Sequence, residues 1–368
     1  MAHPERHDTP GGRRPPARAE LLATLRMVAP GTPLREGMDG ILRGRTGALI
    51  VVGDSPQVMR LLDGGFKLDA PFSAAALYEL AKMDGGIVLT RDASRILYAN
   101  VQLNPDPSVP SQETGIRHRT AERVARQTGE LVIAVSSRRS VITIYRGELK
   151  YSLRDIGFIL DKANQAVQVL QRYRTALDEA LLALTALELE DLVTVQDFAT
   201  VLQRAELVQN VAEEIEAYVA ELGTEGRLVS VQMSEVVPEV EETALLVIRD
   251  YVAGQRDGRE VQARLRARSA EGLLDLEDVA RLMGYPGGEA GLGLPATPRG
   301  YRVLHGVPRL PAAVVERVVA RFGNLQRVLE ASLEELDAVE GVGEARARAL
   351  KENLRRVREQ AVLGRTVS

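Results

Sequence analysis

The chain has 368 residues, 45% hydrophobic and 27% charged, with a formal net charge of −4 at pH 7. That length supports two or three domains, each burying its own core. There is no cysteine, and two of the four histidines, His3 and His7, lie in a polar opening stretch, which excludes disulfides and thiolate metal sites and argues against a histidine metal centre.

Residues 1–20 read as a disordered tail. Residues 1–18 lack the apolar stretch of a secretory signal, and no apolar run in the chain approaches the roughly 18 to 20 residues that cross a bilayer. A cytoplasmic protein with no membrane partner is therefore expected. From 21 to 153, short strand-like runs at 48–52, 87–89, 95–98, 131–135 and 141–145 alternate with helix-period stretches, which predicts a three-layer α/β domain.

Within that segment the helix-period stretch 73–83 gives way to Asp84-Gly85-Gly86. Paired glycines at such a junction permit positive φ and bring backbone close to a ligand. Asp84 offers hard oxygens to a divalent ion such as Mg²⁺ or Mn²⁺ bridging phosphates. A plain helix-to-strand turn is the alternative, because Asp-Gly is a common turn pair. About thirty residues on, Arg117-His118-Arg119-Thr120 stands just before the helix-period stretch 121–127. Guanidinium forks and free N–H groups at a helix start suit phosphate, and Thr114 and Thr120 add hydroxyls. The alternative is a solvated basic turn. Together the two motifs read as a nucleotide site without a nucleophile.

Residues 154–290 carry few helix breakers. Ile156, Ile159, Leu160, Ala163, Val167 and Leu170 fall at helical spacing, so this region reads as a helical spine packed through its apolar stripe. Gly and Pro then crowd residues 287–298, and 291–298 reads as a hinge. Residues 299–368 hold thirteen Lys or Arg against nine Asp or Glu, a local charge of +4, so the preceding residues carry −8. A polyanion partner belongs at the C-terminal end. There Gly341-Val342-Gly343, followed by Arg346, Arg348, Lys351, Arg355 and Arg356, resembles the helix-hairpin-helix motif of DNA-repair proteins, whose glycine hairpin offers backbone N–H groups to a DNA phosphate. The stretch from Leu304 to Pro311 with the helix after it looks like a degenerate first copy, giving a tandem domain over 299–368. A small helical bundle whose glycines merely make turns is the alternative.

The resemblance of the N-terminal segment is more specific. Phe66-Lys-Leu-Asp-Ala-Pro-Phe72, Leu77-Tyr-Glu-Leu-Ala-Lys-Met-Asp-Gly-Gly-Ile-Val-Leu89, Ser94-Arg-Ile-Leu-Tyr-Ala-Asn-Val101 and Glu113-Thr-Gly-Ile-Arg-His-Arg-Thr-Ala-Glu-Arg123 together resemble the diadenylate cyclase domain of the DisA family of bacterial DNA-integrity scanning proteins. The likeness covers about residues 21–153. It departs from the family's Asp-Gly-Ala at Gly86, where a missing methyl should loosen the loop without removing the carboxylate.

The resemblance implies a multidomain α/β plus all-α protein that condenses two ATP into cyclic di-AMP and two pyrophosphates. Each cyclase domain would hold one ATP, facing another across a two-fold interface. It implies a catalytic set of Asp84, Arg117, His118 and Arg119, with Asp84 on Mg²⁺ or Mn²⁺ and also a candidate to polarise the 3′-hydroxyl. Gly85 and Gly86 would touch the nucleotide through backbone, Leu103 would pack near adenine, and Thr114 with Ile116 to Thr120 would cradle ribose and phosphate. Ser136 would contact polyphosphate or serve as a structural hydroxyl. Gly341, Val342, Gly343, Arg346, Arg348 and Lys351 would bind DNA. The family's octamer, its inhibition by branched DNA such as a Holliday junction, its RadA-type recombination ATPase partner and its association with the nucleoid are carried over as expectations. Two other classes stay open: a non-catalytic scaffold that senses ATP or cyclic di-AMP while binding DNA, and, more weakly supported for want of a carboxylate cluster or a ligase-type lysine, a helix-hairpin-helix nuclease or ligase subunit.

Overall fold

The computed structural model describes residues 15–234, 237–271 and 274–365. They fall into two compact units: one of residues up to 164 with 216–230, the other of 165–215 with residues from 231 onward. The expected tail lies outside the described residues up to position 14, but its last six positions do not, since the first helix already starts at Pro15.

The first unit runs α1 (Pro15–Val28), α2 (Pro33–Arg43), β1 (Ala48–Val52), α3 (Pro56–Met59), β2 (Leu62–Asp63), β3 (Phe66–Pro71), α4 (Ala74–Leu80), β4 (Gly86–Leu89), β5 (Arg95–Leu103), α5 (Ile116–Thr128), β6 (Leu131–Ser136), β7 (Val141–Arg146) and β8 (Leu149–Ser152). The sheet order is β2-β5-β4-β1-β6-β7-β8, with β3 also on β5. Only β1 and β4 run parallel, pairing Leu49 with Gly86 and Val52 with Leu89. β1 is central and buried along its whole length, which is why it reads as the unbroken apolar run Ala-Leu-Ile-Val-Val.

Alternating side chains sort the core to the two faces of this sheet. Ile50, Ile87, Leu89, Ile133 and Val135 pack with Leu21 and Leu25 of α1, Met38 and Ile41 of α2, and Leu77 of α4. Leu49, Val51, Val88, Val132 and Ala134 pack with Ala121, Val124 and Ala125 of α5. The three-layer expectation holds. Strands β2, β3 and β8 were not expected: β3 is an edge strand whose residues are nearly all exposed, so it carries no period-2 apolar signal. Helix starts follow capping chemistry, as where Thr32 accepts from Arg35 N–H before Pro33 and Ser73 accepts from Ala76 N–H.

Two long helices follow, α6 (Ile156–Glu190) and α7 (Val195–Leu222), each contributing residues to both units, and then α8 (Arg227–Ser234). The end of α7, inside the stretch read as spine, belongs with the first unit. Glu221 accepts from the Tyr151 hydroxyl at 2.6 Å and from Arg154 N–H at 3.0 Å. Glu216 pairs with Arg18 at 3.3 Å and Arg26 at 3.4 Å.

The second unit continues with α9 (Val237–Tyr251), α10 (Gly258–Glu271), α11 (Leu276–Met283), α12 (Glu289–Leu292), α13 (Tyr301–His305), α14 (Ala312–Phe322), α15 (Leu325–Glu330), α16 (Leu333–Asp337) and α17 (Gly343–Arg365). α9 and α13 cap each other. The buried Asp250 carboxylate accepts from the N–H groups of Gly300, Tyr301 and Arg302 at 2.6 to 3.0 Å. Arg299 in turn donates to the carbonyls of Arg249, Asp250 and Val252, satisfying groups that a helix C-terminus leaves open. Beside them the fully buried Glu188 pairs with Arg302 and accepts from the Tyr251 hydroxyl at 2.6 Å.

The segment read as a hinge is fixed rather than free. Leu294 O accepts from Val195 N–H, Ala296 N–H reaches Val193 O, both at 2.9 Å, and Thr194 bridges to Pro295. Among the described residues no helix is long and apolar enough to cross a membrane.

Candidate functional site

Asp84 sits at the turn between α4 and β4 with its side chain fully exposed. Gly85 behind it is obligatory. A methyl there would lie 2.6 Å from the backbone Cα and carbonyl carbon of Asn100, a residue with φ +56° in the stretch of β5 where pairing with β4 shifts register. Gly86 opens β4 and is looser. An added Cβ would meet Leu103 Cδ1 at 3.1 Å and Val101 O at 3.3 Å, so the methyl of the family's alanine would rest on Leu103.

The basic motif lies inside a helix rather than before one. α5 begins at Ile116, five positions earlier than its apolar period suggests, because its first turn faces away from the core and buried spacing starts only at Ala121. Gly115 is the N-cap with no side-chain cap, and no acidic residue stands in the first turn. The leading N–H groups and the positive end of the helix are therefore offered to an anion. Arg117 carries its guanidinium to 3.9 Å from Asp84. Arg119 turns back to the carbonyls of Glu113 at 3.3 Å and Thr114 at 3.2 Å, fixing the approach to the helix.

Beside this turn is an open cavity of about 490 Å³ lined by Leu103, Asn104, Pro105, Asp106, Pro107, Ile116, Arg119, Thr120 and Arg123. Four of the expected site residues thus share one wall, apolar at Leu103 and Ile116 and cationic at Arg119 and Arg123, which is the polarity a nucleotide needs. Ser136 is at the end of β6, where its oxygen accepts from Arg139 N–H at 3.4 Å. His118 does not line the cavity. Its Nδ1 lies 3.0 Å from the Tyr145 hydroxyl, and its pKa is lowered chiefly by burial, with Arg139, Lys150 and Arg117 adding to the effect against Glu113.

Arg139, Tyr145 and Lys150 escaped the sequence reading, since they stand on β7, β8 and the turn between β6 and β7, in no motif. No group of three or more metal-ligating side chains occurs among the described residues. A single exposed carboxylate still fits Mg²⁺ or Mn²⁺, ions commonly held by one or two carboxylates plus substrate phosphates and water.

In the C-terminal domain, α16, the turn through Gly341 and α17 form a helix-hairpin-helix. Gly341 and Gly343 have φ of +85° and +62°, open to glycine at little cost. The hairpin is held from within by Arg317, donating to Glu340 O at 2.7 Å, and Arg346, donating to Gly341 O at 2.6 Å. Two expected DNA contacts also have partners inside the domain. Lys351 Nζ donates to Leu329 O at 2.8 Å, so it caps the end of α15. Val342 buries its side chain in the domain core, and its N–H donates to Val339 O at 3.0 Å. Arg348 pairs with Glu344 one turn back.

Family models match three consecutive stretches: "DisA bacterial checkpoint controller nucleotide-binding" over residues 35–149, "DisA bacterial checkpoint controller linker region" over 153–292, and "Helix-hairpin-helix motif" over 324–352. The DNA integrity scanning protein DisA of Symbiobacterium thermophilum is 57% identical over 352 residues, covering 95% of this chain and 99% of that protein. The protein of the same name from Carboxydothermus hydrogenoformans is 53% identical over 342 residues, covering 92% and 97%. That from Clostridium tetani is 50% identical over 348 residues, covering 95% and 96%. With the nucleotide-binding and helix-hairpin-helix family models matched and this identity along nearly its whole length, the chain belongs to the DisA family of diadenylate cyclases with a helix-hairpin-helix DNA-binding domain.

Proposed function

We propose that two first units face each other, each with one ATP, and that the ribose 3′-hydroxyl of each nucleotide attacks the α-phosphorus of the other. Two O–P bonds form, two phosphoanhydrides break, two pyrophosphates leave and cyclic di-AMP closes. The observation that carries this reading is the half-site itself: Asp84, the uncapped start of α5, Arg117 and the cavity walled by Leu103 and Ile116 offer a carboxylate, free N–H groups, a guanidinium and an apolar wall suited to a nucleotide, while no cysteine exists in the chain to serve as a nucleophile. Phosphoryl transfer of this kind needs alignment and charge neutralisation above all.

Arg117 and Arg119 bind and orient phosphate, the first N–H groups of α5 add fixed dipoles, and Leu103 and Ile116 exclude water from the base. Asp84 would hold Mg²⁺ or Mn²⁺, which supplies charge neutralisation at the phosphates. Ile116 is 83% exposed and Phe66 55% exposed, apolar surface that suits burial against a second copy. The family's octamer follows as the closed assembly in which such halves meet. Branched DNA at the glycine hairpin lowers synthesis by misaligning facing sites, for which a coupling of about 1 to 3 kcal/mol suffices. A cytoplasmic, nucleoid-associated protein working beside a RadA-type ATPase accords with this reading.

The test is incubation with ATP and Mn²⁺ or Mg²⁺, with and without saturating four-way junction DNA. Cyclic di-AMP is expected from the wild type, little or none from Asp84→Asn, and less when junction DNA is present. Equal product from Asp84→Asn would refute the role of Asp84, no product from either would leave the sensing scaffold, and turnover indifferent to junction DNA would end the coupling.

A further inference from the structure

Gly47 stands directly before β1, at the same end of the sheet as Asp84, two residues ahead of β4, and Ser136, the last residue of β6. Its backbone lies outside the left-handed region, so no turn geometry calls for glycine there, and glycine carries an entropic cost on folding. Space accounts for it. A Cβ on Gly47 would lie 2.2 Å from the Nη1 of Arg117 and 2.9 Å from its Cζ, with the Val135 carbonyl oxygen 3.1 Å away. Both guanidinium distances fall below the 3.0 Å that Cβ atoms keep from their neighbours, so Arg117 fills the volume that any other residue at position 47 would occupy.

The two arms of the fork therefore have separate places. Nη1 lies in the gap over Gly47, and Nη2 lies 3.9 Å from the exposed Asp84 carboxylate. That separation is an ion pair too long for a hydrogen bond, so Asp84 does not fix the direction of the fork. A guanidinium is planar and rigid, and seating one arm sets the direction of the other.

We propose that Gly47 is a positioning residue for cyclic di-AMP synthesis: its missing side chain leaves a slot that seats the Arg117 guanidinium beside Asp84 and aims it at substrate phosphate. The aim rests on the function proposed above; the slot does not.

Two measurements test this. The first is the crystal structure of Gly47→Ala beside that of the wild type. The Arg117 guanidinium is expected to be displaced from Asp84 with the backbone at Gly47 and Val135 in place; a guanidinium that keeps its position overturns the slot. The second is a double-mutant cycle on cyclic di-AMP synthesis by the full-length protein. Gly47→Ala should lower kcat/KM for ATP about tenfold or more, the worth of a hydrogen bond to a charged group, and should cost nothing further in an Arg117→Ala background. An equal loss in that background means that the methyl acts through the strand, and it overturns the proposal, as does undiminished synthesis by Gly47→Ala where Arg117→Ala is impaired. Full synthesis by Arg117→Ala refutes the phosphate role of Arg117, while the crystal structure still reads the slot. If Gly47→Ala does not fold by circular dichroism, the double variant with Arg117→Ala decides: a recovered fold puts the clash at the guanidinium, and a fold still lost puts it at the backbone and overturns the proposal.

Discussion

At Gly85 and Gly86 one methyl separates two different outcomes. Gly85→Ala drives carbon against the backbone of Asn100 at 2.6 Å, where nothing can yield except the strand, so the Asp84 turn must move. Displacements near 1 Å at a reacting centre cost on the order of a hundredfold, and a fall of that size in cyclic di-AMP synthesis is expected. Gly86→Ala meets the end of a leucine at 3.1 Å, which can shift by a few tenths of an ångström, and the Val101 carbonyl oxygen at 3.3 Å, a milder contact than the one at Gly85. It should keep activity within about threefold and raise stability by about 0.4 to 1 kcal/mol, the usual gain on removing a glycine from an unfolded chain; a thermal melt and a product assay on both variants check this. The motif was legible as letters. The reason its two glycines are unequal was not, because it depends on a left-handed asparagine across the sheet.

Elements show the same division. β1 matched its expected span to the residue, as a strand buried on both faces announces itself by an unbroken apolar run. α5 was read five residues short, since only its buried turns are periodic. Lys351 was read as a DNA contact from charge and spacing, and in the fold its ammonium donates to the last turn of α15. Lys351→Ala should therefore cost about 1 kcal/mol in unfolding free energy and leave the salt dependence of DNA binding unchanged. Titrations of duplex binding across ionic strength give the check: a slope shallower by about one would restore Lys351 to the phosphate contacts. Sequence shows a cation and its spacing on a helix, but not a carbonyl 22 positions away that the fold brings to it.

Across the whole chain the order of cyclase, helical and hairpin regions was readable from texture, motif and charge asymmetry. Less visible was how the helical region is fastened to the hairpin domain. Asp250 and Arg299 each cap the other's helix across 49 positions, and Glu188 joins them through Arg302 from 114 positions away. A buried acid and a half-buried base look ordinary in a sequence. Only folding shows that they satisfy opposite ends of two helices, and that the glycine-rich stretch between them is tied at both Val193 and Val195.

That tie has a consequence for how the molecule comes apart. Glycine- and proline-rich connectors are normally the first places a protease cuts, provided the backbone can leave the fold and lie extended in the enzyme's cleft. Residues 291–298 cannot do so while Leu294 and Ala296 are hydrogen-bonded and Pro295 is bridged to Thr194. Brief digestion with a protease of broad specificity, read by intact mass, is expected to leave the helical region and the hairpin domain joined on one fragment. Early scission within 291–298 would mean that the knot is weaker in solution than its hydrogen bonds imply.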